Sequence, residues 1–182
     1  MARRKLRLGV SACLLGSEVR YDGRHKRNAW LVDVLGPLVE WVAVCPEVEL
    51  GLGVPREPIR LLRRPGRSGA SAPRLVGARS RRDLTLAMRR YALVRVRELE
   101  ALDLDGFVAK SGSPSCGLVE VPIHGARGGR PRREGVGMFV AALVTRLPGL
   151  PIEEERRLED PEARRIFLER IRAYARSRRL SR

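Results

Sequence analysis

The chain carries three cysteines whose number and spacing do not suit the common structural uses of cysteine. Cys13, Cys45 and Cys116 lie 32 and 71 positions apart (45 − 13 and 116 − 45), whereas zinc-binding cysteines usually have a partner two to four residues away. An odd, widely spaced set also argues against a disulfide framework. Two interpretations remain: three unrelated buried thiols, or three thiolates that converge on one site.

The residues around the cysteines favour convergence. Each cysteine lies in a polar, glycine-containing stretch: "SACLLG", "CPEVELG" or "AKSGSPSCGLVE". Such loops supply backbone N–H groups and hydroxyls, and hydrogen bonds from these donors tune the sulfur atoms of an anionic cluster. Three thiolates without a fourth protein ligand fit an iron–sulfur cluster with one open iron. An open metal position is what separates a catalytic site from a closed structural one.

Strands must bring these loops together. Segments 5–13, 39–45 and 105–111 are typical of strands, and each precedes or ends at a cysteine-bearing loop. Helices are predicted over residues 27–36, 80–102 and 135–147 and in the C-terminal stretch "EDPEARRIFLERIRAYARSRR", and a last short strand at "GLPIEEE".

This alternation predicts a single Rossmann-like α/β domain over residues 1–182, with three layers and a mostly parallel sheet. Parallel strands end at one edge of their sheet, and open α/β folds bind ligands there. We therefore expect the cluster site at the C-terminal edge of the strands.

The segment after Cys45 is rich in proline, glycine and arginine, and we interpret it as a long loop. Residues 63–74 within it are predicted to form a flexible basic loop.

The composition indicates a globular cytoplasmic protein with a basic surface. Of 182 residues, 37 are Lys or Arg and 21 are Asp or Glu, which gives a formal net charge of +16. Such a charge favours contacts with phosphate groups, so a weak RNA contact is one expectation and mere solubility is the other. No apolar run is long enough for a transmembrane helix. We expect a monomer or a homodimer.

Four motifs together resemble a known bacterial family. They are "SACLLGSEVRYDGRHKR", "CPEVELGLGVPREP", "SRRDLT" and "AKSGSPSCG". The resemblance runs from about residue 8 to the terminal helix. The family was long called a domain of unknown function, and its characterised members are thiouracil desulfidases. The resemblance implies a [4Fe-4S] cluster held by Cys13, Cys45 and Cys116, whose open iron takes sulfur from 2- or 4-thiouracil, giving uracil and sulfide without net redox change.

The resemblance also implies roles for residues near the cysteines. Glu47 is expected to be the general base that activates water, and Ser113 the catalytic serine, with Ser115 as the second choice. Tyr21, Asp22 and Lys26 of "VRYDGRHKR", together with Ser115, are expected to contact substrate. Tyr21 is suited to stack on a pyrimidine, and Lys26 or Arg27 to meet a phosphate. Arg56 either clamps its own loop or contacts substrate.

The sequence departs from the family pattern at Arg24, at Arg60 and in the basic stretch "HGARGGRPRREG". These changes leave the cysteines untouched and alter the charge expected near the mouth of the site. Two alternatives to the desulfidase stay open. One is a non-catalytic RNA- or nucleotide-binding protein, and the other is an enzyme or sulfur carrier of the same fold that handles another thiolated compound.

Overall fold

The computed structural model of the chain describes residues 4–63 and 73–180. The predicted flexible loop at 63–74 therefore lies mainly outside the described residues. The strands of the described part form two four-stranded sheets: β1 Leu6–Ser11, β2 Val39–Val44, β3 Ile59–Leu62, β4 Arg74–Gly77, β5 Gly106–Ala109, β6 Val121–His124, β7 Arg132–Gly135 and β8 Ile152–Glu154.

Helices and helical turns connect these strands. The α-helices are α1 Pro46–Glu49, α2 Thr85–Ala101, α3 Met138–Arg146 and α4 Pro161–Leu180. A π-helix covers Trp30–Leu35, and 3-10 turns cover Ala12–Leu15, Gly36–Leu38 and Arg157–Glu159. No helix of the described residues is long and apolar enough to cross a membrane.

The first sheet is entirely parallel, with strand order β2-β1-β5-β8. Its register pairs Ser11 with Val44 and Ala109 with Glu154, so neighbouring strands end almost level. The predicted α/β class and the Rossmann-like parallel sheet are confirmed. Strand ends that lie level at one edge are what positions the loops that follow them.

The second sheet was not predicted from the sequence. Its order is β4-β3-β6-β7, with β3 and β6 parallel and the other two pairs antiparallel. The segment after Cys45 was expected to be a loop, but it holds α1, β3 and β4. These strands have four residues each and are flanked by arginine, proline and glycine, so they carry too little periodicity to be recognised.

Two apolar clusters cover opposite faces of the parallel sheet. Leu8, Val10 and Val108 face α4 residues such as Phe167 and Ile171. Phe107 and Ala109 alternate with Val108 and face the other way, toward α2, α3 and the second sheet. Complete burial of each such aromatic ring contributes about 1.5–3 kcal/mol. The result is the expected three layers, with the parallel sheet in the middle.

Candidate functional site

The site lies at the C-terminal edge of the parallel sheet. Cys45 directly follows β2, Cys13 lies in the turn after β1, Lys110 directly follows β5 and Glu155 directly follows β8. A cavity of about 350 Å³ opens at this edge. Its lining includes all three cysteines and the side chains that frame them: Tyr21, Lys26, Glu47, Arg56, Lys110, Ser113 and Ser115. The expected convergence of the cysteines is therefore present.

Each cysteine is held by hydrogen bonds of its own loop. The Cys13 carbonyl accepts the Lys26 N–H at 2.8 Å. The Cys45 N–H donates to Glu49 Oε1 at 2.9 Å, and the Cys116 N–H donates to Ser113 Oγ at 3.1 Å. These contacts fix the backbone at the three points from which the sulfur atoms enter the cavity.

The three thiols share one electrostatic environment. Burial raises the pKa of Cys13 to about 11, and it also raises the pKa of Cys45 and of Cys116. A charge on Cys45 would further raise the pKa of both Cys13 and Cys116, because like charges at close range oppose each other. Without a cation the site therefore keeps its sulfurs as neutral thiols, and a bound metal centre would have to displace their protons.

The donor set fits a polynuclear cluster. All three cysteines are free of disulfides. Within residues 4–63 and 73–180, no group of three His, Cys, Asp or Glu side chains stands close enough to hold a single metal ion. The thiols instead surround a cavity and are accompanied by hydroxyl and amide donors, which is the kind of surrounding that iron–sulfur clusters have in proteins.

Glu47 is fixed in this cavity by an arginine. Arg56 Nε and Nη2 donate to Glu47 Oε2 at 2.9 and 2.8 Å, and the two side chains are only 7% and 13% exposed, respectively. Arg56 also donates to the carbonyls of Gly53 and Val19. Of the two roles expected for Arg56, the structure therefore gives it the clamp: it orients the Glu47 carboxylate and ties it to two loops.

Two serines extend from Glu47 in a chain of hydroxyls. Ser115 Oγ donates to Glu47 Oε1 at 2.8 Å and lies 3.0 Å from Ser113 Oγ. Ser115 is buried, while Ser113 is partly exposed at the cavity. Since the Ser115 proton is directed to Glu47, the Ser113 hydroxyl is the donor in the serine pair. The chain can pass a proton between the cavity and the carboxylate.

The predicted substrate loop is brought to the cavity only in part. Tyr21 and Lys26 line it, and Tyr21 is 41% exposed. Asp22 lies outside the lining and serves its own turn, because its Oδ1 accepts from Arg24 N–H and from Arg20 Nε. Arg27, the other residue considered for a phosphate, is paired with Asp33.

The departures from the family pattern lie away from this cavity. Arg24 is exposed on the Asp22 turn, and Arg60 lies in β3. The basic stretch runs from the last residue of β6 through the connecting turns to the end of β7. None of them belongs to the cavity lining. The charge at the site is set by other residues.

Sequence reasoning missed Ser11, Lys110 and Glu155. The Lys110 N–H donates to Ser11 Oγ at 3.0 Å, and its ammonium pairs with Glu155 Oε1 at 2.5 Å. All three stand at the ends of adjacent parallel strands. The rule that was applied to the cysteines would have found them, had it been extended to every polar residue at a strand end.

A second cavity of about 500 Å³ adjoins the first and shares Arg56 and Ile59 with it. Arg79, Ser80 and Arg82 line it together with Glu57. The guanidinium groups of Arg79 and Arg82 form no ion pair with a described residue. This cavity therefore places two arginines and the Glu57 carboxylate beside the cysteine site.

Comparisons with known proteins agree with this geometry. The sequence model of a family described as 2-thiouracil desulfurase matches residues 8–155. The uncharacterized protein YbbK of Bacillus subtilis (strain 168) is 26% identical over 151 residues, which cover 83% of this chain and 97% of that protein. The solved structure of the [4Fe-4S]-dependent thiouracil desulfidase TudS is 35% identical and aligns with a TM-score of 0.63, over 86% of this chain and 94% of that one.

Proposed function

Because the chain belongs to the 2-thiouracil desulfurase family, we propose that it is a [4Fe-4S]-dependent hydrolase that removes sulfur from a thiolated pyrimidine of the 2- or 4-thiouracil type. The reaction exchanges the C=S sulfur for the oxygen of water and yields uracil and hydrogen sulfide. One water supplies the oxygen and both protons, so no electron donor or acceptor is needed.

One observation carries the proposal. Three thiols from segments far apart in the sequence meet in the cavity that also holds the clamped Glu47 carboxylate. A binding protein with a structural cluster would need the thiols but not a buried carboxylate aimed beside them. The combination supports catalysis rather than binding alone.

Cys13, Cys45 and Cys116 would hold the cluster and leave one iron without a protein ligand. When bound, the cluster supplies a thiophilic Lewis acid that polarises the C=S bond and accepts the departing sulfide. This ligand set is the one that the resemblance implies, and the shared cavity supports it.

Glu47 is the proposed general base. Its Oε2 is occupied by Arg56, so Oε1 is the atom that exchanges protons, through Ser115 or directly with a water. Ser113, at the cavity end of the serine pair, is the proposed catalytic serine and either hydrogen-bonds the substrate edge or passes a proton from the attacking water toward Ser115. Ser115 completes the path between them. Proton transfer by such a group contributes about 10²–10⁴-fold to the rate.

Tyr21 and Lys26 are proposed to bind the substrate. The exposed Tyr21 ring can stack on the pyrimidine, and Lys26 can meet an anionic substituent. Asp22 is proposed to act indirectly, by holding the turn that positions Tyr21 and Lys26. The arginines of the adjoining cavity support a nucleotide as one form of the substrate beside the free base.

We further propose that residues 1–182 form one cluster-binding domain that works in the cytoplasm as a monomer or a homodimer. The arginine-rich surface gives it a weak affinity for RNA.

The proposal is tested by anaerobic purification, reconstitution with iron and sulfide, and incubation with 4-thiouracil. We expect a brown protein with about four irons per chain, together with the loss of the thiouracil absorption and the release of uracil and sulfide. A colourless protein that takes up no iron would overturn the proposal. A brown protein that leaves 2- and 4-thiouracil and their nucleotides intact would contradict the substrate and favour another thiolated compound.

A further inference from the structure

Lys110 and Glu155 form a charge pair at the same sheet edge as the cysteines. They directly follow β5 and β8, which are adjacent and parallel, with Ala109 paired to Glu154. The Glu155 N–H donates to the Ala109 carbonyl at 3.2 Å, which continues the strand pairing to this point. The backbone itself therefore places the two side chains next to each other.

Ser111 forms hydrogen bonds with both members of the pair. The Lys110 ammonium donates to Glu155 Oε1, the Ser111 carbonyl and Ser111 Oγ at 2.5, 2.9 and 3.0 Å, which uses its three protons. Glu155 also accepts the Ser111 N–H and hydroxyl, both at 2.7 Å. The two charged side chains are only 17% and 10% exposed, respectively.

Burial of such a pair is weak evidence for a stabilising role, because desolvation offsets much of the attraction. Its orientation suggests another use. Lys110 belongs to the lining of the cysteine cavity, and Glu155 does not. The positive member of the pair thus lines the cavity that holds the thiols, and the negative member lies behind it, outside the lining.

We infer that Lys110 and Glu155 are an oriented charge pair that compensates the negative charge of the three cysteinates and sets the reduction potential of the cluster. The inference rests on the proposed function. Neither residue takes part in bond making here. They are positioning residues that act through the electrostatic potential at the ligands.

The inference predicts that substitutions of Lys110 and of Glu155 shift the midpoint potential of the cluster in opposite directions. Lys110→Met removes the near positive charge, so the reduced cluster is less stabilised and its midpoint potential falls. Glu155→Gln removes the far negative charge and leaves the ammonium alone, so the potential rises. The double variant loses both charges and lies between Lys110→Met and the wild type. A purely structural role gives no reason for a rise in either variant.

The experiment is a potentiometric titration of reconstituted full-length protein, followed by the visible spectrum and by iron content. Lys5→Met is the matched control, because Lys5 lies just before β1 at the opposite end of that strand and donates to the Pro37 carbonyl. It removes the same charge without changing the site, so its potential should equal that of the wild type. Retention of iron during chelator challenge is measured in parallel and should fall about 10-fold in Lys110→Met.

The outcomes separate the inference from the proposed function. If the wild type takes up no iron, the proposed function fails. If wild type and variants hold a cluster but share one potential, or if Lys110→Met and Glu155→Gln shift it in the same direction, the charge-pair inference is overturned and the proposed function stands. Should Lys110→Met fail to fold, the rise expected in Glu155→Gln still decides the question.

Discussion

The Ser115 hydroxyl donates a 2.8 Å hydrogen bond to Glu47 Oε1, although the two residues lie 68 positions apart. Ser115 directly precedes Cys116, and Glu47 follows Cys45 by two positions. The bond therefore joins two of the three cysteine loops through the groups proposed to move protons. Any change at this bond reaches both the proton path and the cysteine loops, so variants of Glu47, Ser113 and Ser115 require turnover and iron content to be measured together.

Glu47→Gln should retain the cluster and lose turnover. The amide keeps the shape, and its oxygen can accept from Arg56 while its NH2 group donates to Ser115 Oγ, but it cannot act as a base. We expect kcat to fall about 10²–10⁴-fold, measured by loss of 4-thiouracil absorption at saturating substrate. Iron content and the visible spectrum should match the wild type. Loss of iron in this variant would instead assign Glu47 a structural role.

Ser115→Ala and Ser113→Ala should both lower kcat, but only Ser113→Ala should also lower the retention of iron. Ser115→Ala interrupts the path between Ser113 and Glu47, so kcat should fall about 10²-fold while iron is retained. Ser113→Ala removes the acceptor for the Cys116 N–H as well, so it should lower both kcat and the retention of iron under chelator. Equal iron loss in the two variants would contradict this division.

Arg56→Lys should lower turnover although the charge is kept. Arg56 places two nitrogens on Glu47 Oε2 and reaches the Gly53 and Val19 carbonyls, and a single ammonium cannot reproduce that geometry. Glu47 would lose its fixed orientation, and we expect about a tenfold or larger fall in kcat, since small displacements of catalytic groups are costly. Arg79→Lys, in the adjoining cavity, is the matched control and should leave kcat for the free base unchanged.

The sequence predicted the parallel sheet and the meeting of the cysteines for the same physical reason. β1 and β2 are rich in valine and leucine, β5 is the apolar segment GFVA, and all three end at polar loops. Level strand ends bring such loops together. The second sheet escaped prediction because its short strands pair with one another only through the tertiary fold. β6 even contains Pro122, which lowers its strand propensity.

The partners of the site residues could not be predicted from spacing. Nothing in the sequence says that Arg56 faces Glu47 rather than the substrate, since either orientation is compatible with the short loop between them. Likewise the Lys110–Glu155 pair depends on β5 and β8 being neighbours, which is a property of strand order rather than of local sequence. Element type follows from local pattern, whereas side-chain pairing requires the topology.

Stability should depend on Glu57 at acid pH. Hydrogen bonds from the Ser80 hydroxyl, the Ser80 N–H and the Arg79 N–H lower the pKa of Glu57 from 4.5 to about 2. Because the folded-state pKa is depressed, its contribution is fully present above pH 4.5 and is lost as the pH falls toward 2. The urea midpoint of the cluster-free protein should therefore decrease over this window, and the decrease should be smaller in Glu57→Gln. Glu18→Gln, at an exposed carboxylate, should behave like the wild type.

Tyr91→Phe should make the cluster lose iron more readily without changing the turnover of each bound cluster. The Tyr91 hydroxyl donates to Glu49 Oε2 at 2.7 Å, and Glu49 Oε1 accepts the Cys45 N–H. Burial and the neighbouring Glu49 raise the pKa of Tyr91, so the hydroxyl keeps its proton throughout the working range.

Removal of that hydroxyl takes one donor from Glu49 Oε2, leaves Arg95 Nε 3.0 Å from the same oxygen, and loosens the Cys45 loop. We expect iron to be lost to a chelator a few-fold to about 10-fold faster, with kcat per bound cluster unchanged. Tyr174→Phe is the matched control, because Tyr174 lies on α4 with Arg178 over its ring, away from the cysteine loops. If both variants lost iron at the wild-type rate, Glu49 would hold the Cys45 loop without help from Tyr91.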